Sequence, residues 1–357
     1  MQFIHSSIFT NFMKKILITS LFSVILLSCS TTKKVDIKKA PLDIQSYINS
    51  ITAEELKTHL TIIASDAMQG RDTGSEGQKE AGKYIISQHK KNGLSFPKNA
   101  GGFYQKVPSE FMKNGFSPSL PDSENICIFI EGSEKPDEIV VVSAHYDHVG
   151  MKNGEIYNGA DDDGSGTVGL IEIAGAFQKA KNEGHGPKRS ILILHVTGEE
   201  HGLHGSRFYI ENPLFPLKNT VADVNIDMIG RRDELHLNTN NYVYVIGSDY
   251  LSTDLYTICE EVNKKYIGLE LDYKYNDKKD PNRYYYRSDH YNFAKNGIPS
   301  VFYFNGTHAD YHQPTDEVDK IEFDALAKRT QLAFITAWEI ANREKKLVVD
   351  KIEENAK

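Results

Sequence analysis

Ile139-Val140-Val141-Val142-Ser143-Ala144-His145-Tyr146-Asp147-His148 is the stretch on which the fold reading turns. A short, continuous apolar run of this kind fits a strand buried on both faces, as in a sheet covered by helices. Three more runs share its character, at Ile126–Ile130, Ile191–Val196 and Val224–Ile229. Helical stretches lie between or after them, near 165–181, 251–265 and 323–344. Upstream, Thr52-Ala53-Glu54-Glu55 forms a capping box, opening a helix with Leu56, Leu60 and Ile63 on one face. Ser75 begins a second helix that carries Ala81, Tyr84 and Ile85 and ends at Gly93. Strand alternating with helix argues for an α/β fold with a largely parallel sheet.

Five short segments concentrate His, Asp and Glu, each after an apolar run. They are Ser143–His148, Asn158–Gly166 (with Asp161-Asp162-Asp163), Gly198-Glu199-Glu200-His201, Asn225–Gly230 and Tyr311–Asp316. Residues just past the carboxyl ends of strands gather at one edge of such a sheet, where ligands bind. Carboxylates placed there in series repel one another unless a cation neutralises them. Imidazole mixed with carboxylate favours zinc over calcium or magnesium. Of these segments taken singly, Asp161–Asp163 reads better as a solvated acidic turn and His145 as a satisfied core histidine. Their joint occurrence at strand ends makes the case, and the Glu199-Glu200 pair can divide into one metal ligand and one general base.

The chain has 357 residues, 39% hydrophobic and 25% charged, with 41 basic against 49 acidic residues. A net charge of −8 argues against a nucleic-acid partner. Three cysteines are too few for a disulfide scaffold. Cys127 and Cys259 read as a pair of buried thiols, with a disulfide as the alternative. Lys14-Lys15 precede the apolar run Ile16–Leu27, the shape of a secretory signal and too short for a stable transmembrane helix. Leu26-Leu27-Ser28-Cys29 resembles a bacterial lipobox, in which the cysteine receives a lipid. The expectation is a signal peptide over 1–28, a flexible tether over 29–50 and a catalytic domain over 51–350. The protein is then lipid-anchored through Cys29 in a bacterial cell envelope, at the periplasmic or outer-membrane face.

On these five segments, in this order, the chain resembles the co-catalytic zinc aminopeptidases, relatives of glutamate carboxypeptidases and glutaminyl cyclases. The resemblance covers residues 55–345. It implies a three-layer α/β/α zinc-exopeptidase fold, phosphorylase/hydrolase-like, with a largely parallel, mixed central sheet. It implies two zinc ions per chain, about 3.5 Å apart and sharing a water. His145 and Asp227 would bind one, Glu200 and His312 the other, and Asp162, two residues before Gly164, would bridge both. Glu199 matches the general base, Tyr311 a tyrosine that steadies the carbonyl oxyanion, and Asp147 a carboxylate that orients the ligand histidine. Arg287-Ser288-Asp289-His290 matches a segment on the substrate side. A cis peptide at Asp162–Asp163, with Gly164 and Gly166 beyond it, is also implied.

The implied activity is hydrolysis of N-terminal residues from peptides with a free N-terminus. A glutaminyl cyclase using one zinc is the first alternative; zinc stoichiometry and an aminoacyl reporter separate the two. A non-catalytic binding relative is the second, and carboxypeptidase or dipeptidase specificity stays open. The charged, tyrosine-rich stretch from Asp272 to Arg287 is either a solvated excursion or a wall of the substrate cleft.

Overall fold

The computed structural model describes residues 42–113 and 119–351, so the leader, Cys29 and most of the tether lie outside the described residues. In chain order the strands are β1 (Tyr104–Val107), β2 (Ser123–Ile130), β3 (Lys135–His145), β4 (Met151–Lys152), β5 (Glu155–Ile156), β6 (Arg189–Val196), β7 (Thr220–Ile226), β8 (Tyr242–Ile246), β9 (Glu270–Asp272) and β10 (Ser300–Phe304). The helices are α1 (Ile44–Ile48), α2 (Ala53–Ile63), α3 (Glu76–Lys91), α4 (Ser109–Met112), α5 (Gly166–Asn182), α6 (His204–Glu211), α7 (Thr253–Val262), α8 (His290–Ala294) and α9 (Phe323–Asn342).

One eight-stranded sheet runs in the order β1-β2-β6-β3-β7-β10-β8-β9, while β4 and β5 pair as a separate hairpin. Its four central strands, β6, β3, β7 and β10, are mutually parallel. The sheet is mixed because β2 and β8 flank them antiparallel. Alternate residues of β3 go to opposite cores. Val140, Val142 and Ala144 pack with α2, α5 and α9 on one face, whereas Ile139 and Val141 pack with Tyr209, Ile210 and Phe293 from α6 and α8 on the other. Both faces are therefore dry, which is why the run is apolar without interruption.

The expected helix starts hold. Thr52 Oγ1 accepts the Glu55 amide at the head of α2, and Ser75 accepts the Gln78 amide at the head of α3. Six strands go beyond those expected from the sequence, β1, β4, β5, β8, β9 and β10; of these β8 and β10 are each five residues long and fully buried. The tether differs too. Residues 44–48 form α1, and Tyr47 and Ile48 are buried against the main core, so the packed domain begins before residue 51. A polar stretch with only two inward apolar residues carries no period long enough to read as a helix. Cys127 and Cys259 are free and buried, on opposite faces of the sheet.

Candidate active site

All four parallel strands deliver their carboxyl ends to one place. His145 is the last residue of β3, Asp227 follows β7, Glu199 and Glu200 follow β6, and the turn after β10 leads to Tyr311 and His312. The loop before α5 brings the three aspartates. This is the edge at which an open parallel sheet binds its ligands, because chain direction puts every outgoing loop on the same side.

The five histidines and carboxylates expected to converge do so, in two groups. In the first, His145 Nε2 lies 3.3 Å from Asp162 Oδ1 and 3.6 Å from Asp227 Oδ1. In the second, His312 Nε2 lies 3.0 Å from both Asp162 Oδ2 and Glu200 Oε2. The two oxygens of Asp162 thus face different groups. His148 joins the second group, with Nδ1 2.8 Å from Glu200 Oε1 and 3.8 Å from Asp162 Oδ2. The sequence holds His148 inside the quoted segment, but nothing local separates it from a core histidine; only folding sets it against Glu200.

These contacts are close but misdirected for hydrogen bonding. His145 Nε2, His148 Nδ1, Asp162 Oδ2 and Glu200 Oε1 are buried with no hydrogen-bond partner. Buried polar atoms are almost always satisfied, so orphans that point at one another mark a place for a cation. The donor set, imidazole nitrogen with carboxylate oxygen, suits zinc. Among the described residues two sets meet the spacing for a metal: His148, Asp162 and Glu200, and His145, Asp163 and Asp227. Asp163 Oδ1 accepts the amides of Gly166 (2.9 Å) and Met228 (3.1 Å), while its Oδ2 is buried without a hydrogen-bond partner beside the first group. Asp162 Oδ1 also lies beside His145.

Neighbours settle the register of the three aspartates. Asp161 Oδ1 accepts the Gly230 amide and Oδ2 contacts His308 Nε2 at 3.1 Å. The amides of Asp161 and Asp162 donate to the buried Asp316 carboxylate. Asp161 and Asp163 hold backbone, and Asp162 alone points inward to both groups. The peptide Asp162–Asp163 is cis. Gly166 is required by close approach, because a β-carbon there would sit 2.5 Å from both Asp163 oxygens and 2.7 Å from the Ile226 carbonyl. Arg71 braces the loop from below; its buried guanidinium donates to the carbonyls of Tyr146, Ile63, Asn158 and Gly159.

The charges follow from this crowding. Burial opposes the charged form of His145, but Asp227, Glu199 and Asp162 outweigh it and hold the imidazole well above its usual range. Burial likewise opposes charge on Asp162, yet His145 and His312 hold it well below the usual carboxylate range. Burial would lower His312, but contact with Asp162 and Glu200 raises it to about 10. Glu199 goes the other way, pushed well above its usual range by burial, with Asp227 and Glu200 adding to it against His145. Glu199, partly buried at the floor of the cleft with an oxygen 3.9 Å from His145 Nε2, stands where a general base can act.

Asp147 acts differently from the expectation. His145 Nδ1 contacts the Asp147 backbone carbonyl at 3.1 Å, while the nearest carboxylate oxygen is 3.8 Å away. The carboxylate instead accepts the Thr73 hydroxyl at 2.8 Å and the Glu199 amide at 3.3 Å, so it positions the base loop. Ser288 does for Asp227 what was expected of Asp147 for His145: its hydroxyl donates to Asp227 Oδ2 at 2.6 Å. Tyr311 stacks on His312, with ring centroids 3.9 Å apart. Burial raises its phenol well above the usual range, helped by Asp162 and Glu200, so it stays a donor. Arg287 Nη2 donates to the Tyr311 oxygen at 3.0 Å. The phenol's own hydrogen is thereby left for another acceptor.

A cleft lined by Asp162, Glu199, Asp227, Met228, Tyr284, Arg287, Phe302, Phe304, Thr307 and Tyr311 opens onto this cluster. Tyr284 and Arg287 belong to the tyrosine-rich stretch, which is thus a wall of the cleft. Backbone at the rim is held in the left-handed region at Met228 (φ 52°) and His312 (φ 54°), a conformation costly to non-glycine residues and found where a site imposes it.

The model of peptidase family M28 matches residues 125–336. A probable leucine aminopeptidase of Trichophyton verrucosum (strain HKI 0517) is 26% identical over 306 residues, covering 84% of this chain and 76% of that protein. The solved structure of an aminopeptidase from Aneurinibacillus sp. strain AM-1 aligns with a TM-score of 0.64 at 15% identity, over 87% of this chain and 99% of that one. Porphyromonas gingivalis glutaminyl cyclase aligns with a TM-score of 0.61 at 18% identity, over 80% and 97%. The fold by itself therefore does not separate a peptidase from a cyclase. The family match runs over more than half of the sequence, from β2 through most of α9 and across every segment of the cluster, and the chain belongs to peptidase family M28.

Proposed function

We propose that this protein is a zinc-dependent aminopeptidase that removes N-terminal residues from peptides, with two zinc ions per chain. His145, Asp162 and Asp227 would hold one ion, and Asp162, Glu200 and His312 the other, with His148 beside the second. The observation that carries the reading is Asp162, whose two oxygens face two separate histidine-containing groups across a buried cluster. When bound, zinc supplies Lewis acidity toward a water and toward the scissile carbonyl.

The chain's own residues do the rest. Glu199 takes a proton from the attacking water and returns it to the leaving amine. Tyr311, its oxygen occupied by Arg287, directs its hydrogen at the carbonyl oxygen as negative charge develops there. Glu199 and Asp227 at the floor of the cleft can accept hydrogen bonds from a substrate's free N-terminal amine, which a blocked one cannot offer in the same way. Named aminopeptidases among the relatives support this reading. The test is zinc analysis of the purified protein together with a panel of aminoacyl and N-blocked substrates. Close to two zincs and cleavage of free aminoacyl substrates alone is the expected result; one zinc with cyclisation of N-terminal Gln would replace the reading with the cyclase.

We further propose lipid attachment at Cys29, on the strength of the Lys-Lys, apolar run and Leu26-Leu27-Ser28-Cys29 sequence. Cys29→Ala should release the protein from the membrane fraction or leave it unprocessed; unchanged attachment would end the proposal.

A further inference from the structure

We infer that Arg287 recognises a carboxylate on the substrate, so that the enzyme prefers peptides carrying a negative group close to the scissile bond. The inference rests on the aminopeptidase reading and adds the substrate class to it.

Arg287 lines the same cleft as Asp162, Glu199 and Asp227. Its backbone is anchored there, because the next residue, Ser288, is buried and hydrogen-bonded to Asp227. Its side chain is oriented by uncharged partners. Nη2 donates to Tyr311 Oη, the guanidinium lies 5.2 Å over the Tyr284 ring, and Nη1 reaches the Asn282 carbonyl at 3.5 Å. Among the described residues no carboxylate lies within ion-pair distance of it. Among the described residues Arg207 and Arg283 also lack an acidic partner, but neither lines this cleft, and the remaining arginines are committed. Arg189, Arg231, Arg232 and Arg343 each have an acidic partner, and Arg71 and Arg329 are buried on backbone carbonyls. Arg287 is solvent-exposed and lines the cleft, with part of its donor fork uncommitted.

A guanidinium fork matches a carboxylate in a two-point, charge-assisted contact, and one already held in place loses little rotamer freedom on making it. Two substrate groups offer that chemistry: an acidic side chain on the N-terminal residue, or the α-carboxylate of a dipeptide. A purely structural Arg287, steadying Tyr311 or offsetting the acidic floor, would be indifferent to either.

The test uses the zinc-loaded full-length enzyme and substrate pairs differing only in charge. The first pair set compares N-terminal Glu with Gln and Asp with Asn in fluorogenic anilides; the second compares Leu-Gly with Leu-Gly amide. In at least one set the carboxylate member should have the higher kcat/KM by about tenfold or more, the size of one hydrogen bond to a charged group. The set that responds identifies the source. R287Q should bring that ratio near one, and R287K, which keeps the charge without the fork, should lose most of it. The ratio is taken on one enzyme at a time, so partial loss of folded protein does not move it. Wild-type ratios near one in both sets overturn the inference while leaving the aminopeptidase reading standing, and so does a ratio that R287Q leaves unchanged. Failure to cleave any aminoacyl substrate overturns both.

Discussion

Replacing Arg71 with lysine tests whether the aspartate loop is held from beneath. The guanidinium is fully buried and donates four hydrogen bonds of 2.7–3.1 Å, to carbonyls of Tyr146, Ile63, Asn158 and Gly159. These acceptors come from the end of α2, from the turn after β3 and from the two residues just before Ala160. Burial lowers the pKa of Arg71, and the negative charges of Asp162, Asp163, Asp316 and Asp147 oppose that shift, so its charge also eases their mutual repulsion. A lysine ammonium is a point donor on a flexible stem and cannot span four carbonyls fixed around a planar fork. Two or more acceptors would lose their donor, each at about 1–3 kcal/mol, for a total near 3–5 kcal/mol. Against a typical total stability of about 5–15 kcal/mol this is a large fraction. Urea unfolding of wild type and R71K at matched zinc concentration measures it. Activity should fall with stability, because Gly159 lies three residues before Asp162. A loss below about 1 kcal/mol would show that Arg71 is not the brace described.

Glu199→Gln should lower kcat by about 10²–10⁴ with zinc content unchanged, the range for removing a general base; a kcat near wild type removes Glu199 from that role. Asp162→Asn should reduce zinc to one per chain or fewer by elemental analysis, and retention of two would sink the bridging assignment. Gly166→Ala should lower the thermal midpoint by the equivalent of about 1–3 kcal/mol of overpacking, given the 2.5 Å approach to Asp163; an unchanged midpoint refutes it. The buried pair His89–His195, Nε2 to Nε2 at 3.0 Å, gives a pH prediction. Burial, with His59 adding, holds His89 down to about 3, against 6.5 for an unperturbed imidazole. The unfolded chain takes up the proton first, so this contribution to stability is complete above about pH 6.5 and is lost as pH falls toward 3. H89Q should therefore lose less stability than wild type between pH 7 and pH 4.5 in urea titrations; parallel losses would contradict the assignment.

Much of the site is legible in the sequence for a specific reason. Each ligand segment is contiguous and follows directly on an apolar strand, so one pattern carries both the strand and the residue at its end. His145 and Asp227 are of this kind. Long buried strands announce themselves as unbroken apolar runs, and β2, β3, β6 and β7 are read that way; β10, equally buried and central, is only five residues long and is not. α1 is not, because Tyr47 and Ile48 are only two inward residues in a polar stretch, and their burial depends on the face that α5 and α9 offer. The sequence also cannot say which of a residue's own polar atoms is used. His145 meets the Asp147 carbonyl rather than its carboxylate because the carboxylate is claimed by Thr73 and Glu199, which lie 74 and 52 residues away.

The amino-acid sequence by itself determined the α/β alternation, the residue types gathered at the strand ends and the metal chemistry those types favour. Only the tertiary structure decided that Asp162, and neither Asp161 nor Asp163, faces both histidine groups, that His148 lies against Glu200, and that Arg287 stands at the cleft without an acidic partner. The physical reason is the range of the interactions. Strand and helix patterns are set by neighbours one to four residues apart. The partners that orient these side chains lie tens of residues away, and Asp316 more than 150 from the aspartate loop, so they meet only when the parallel strands bring their carboxyl ends together.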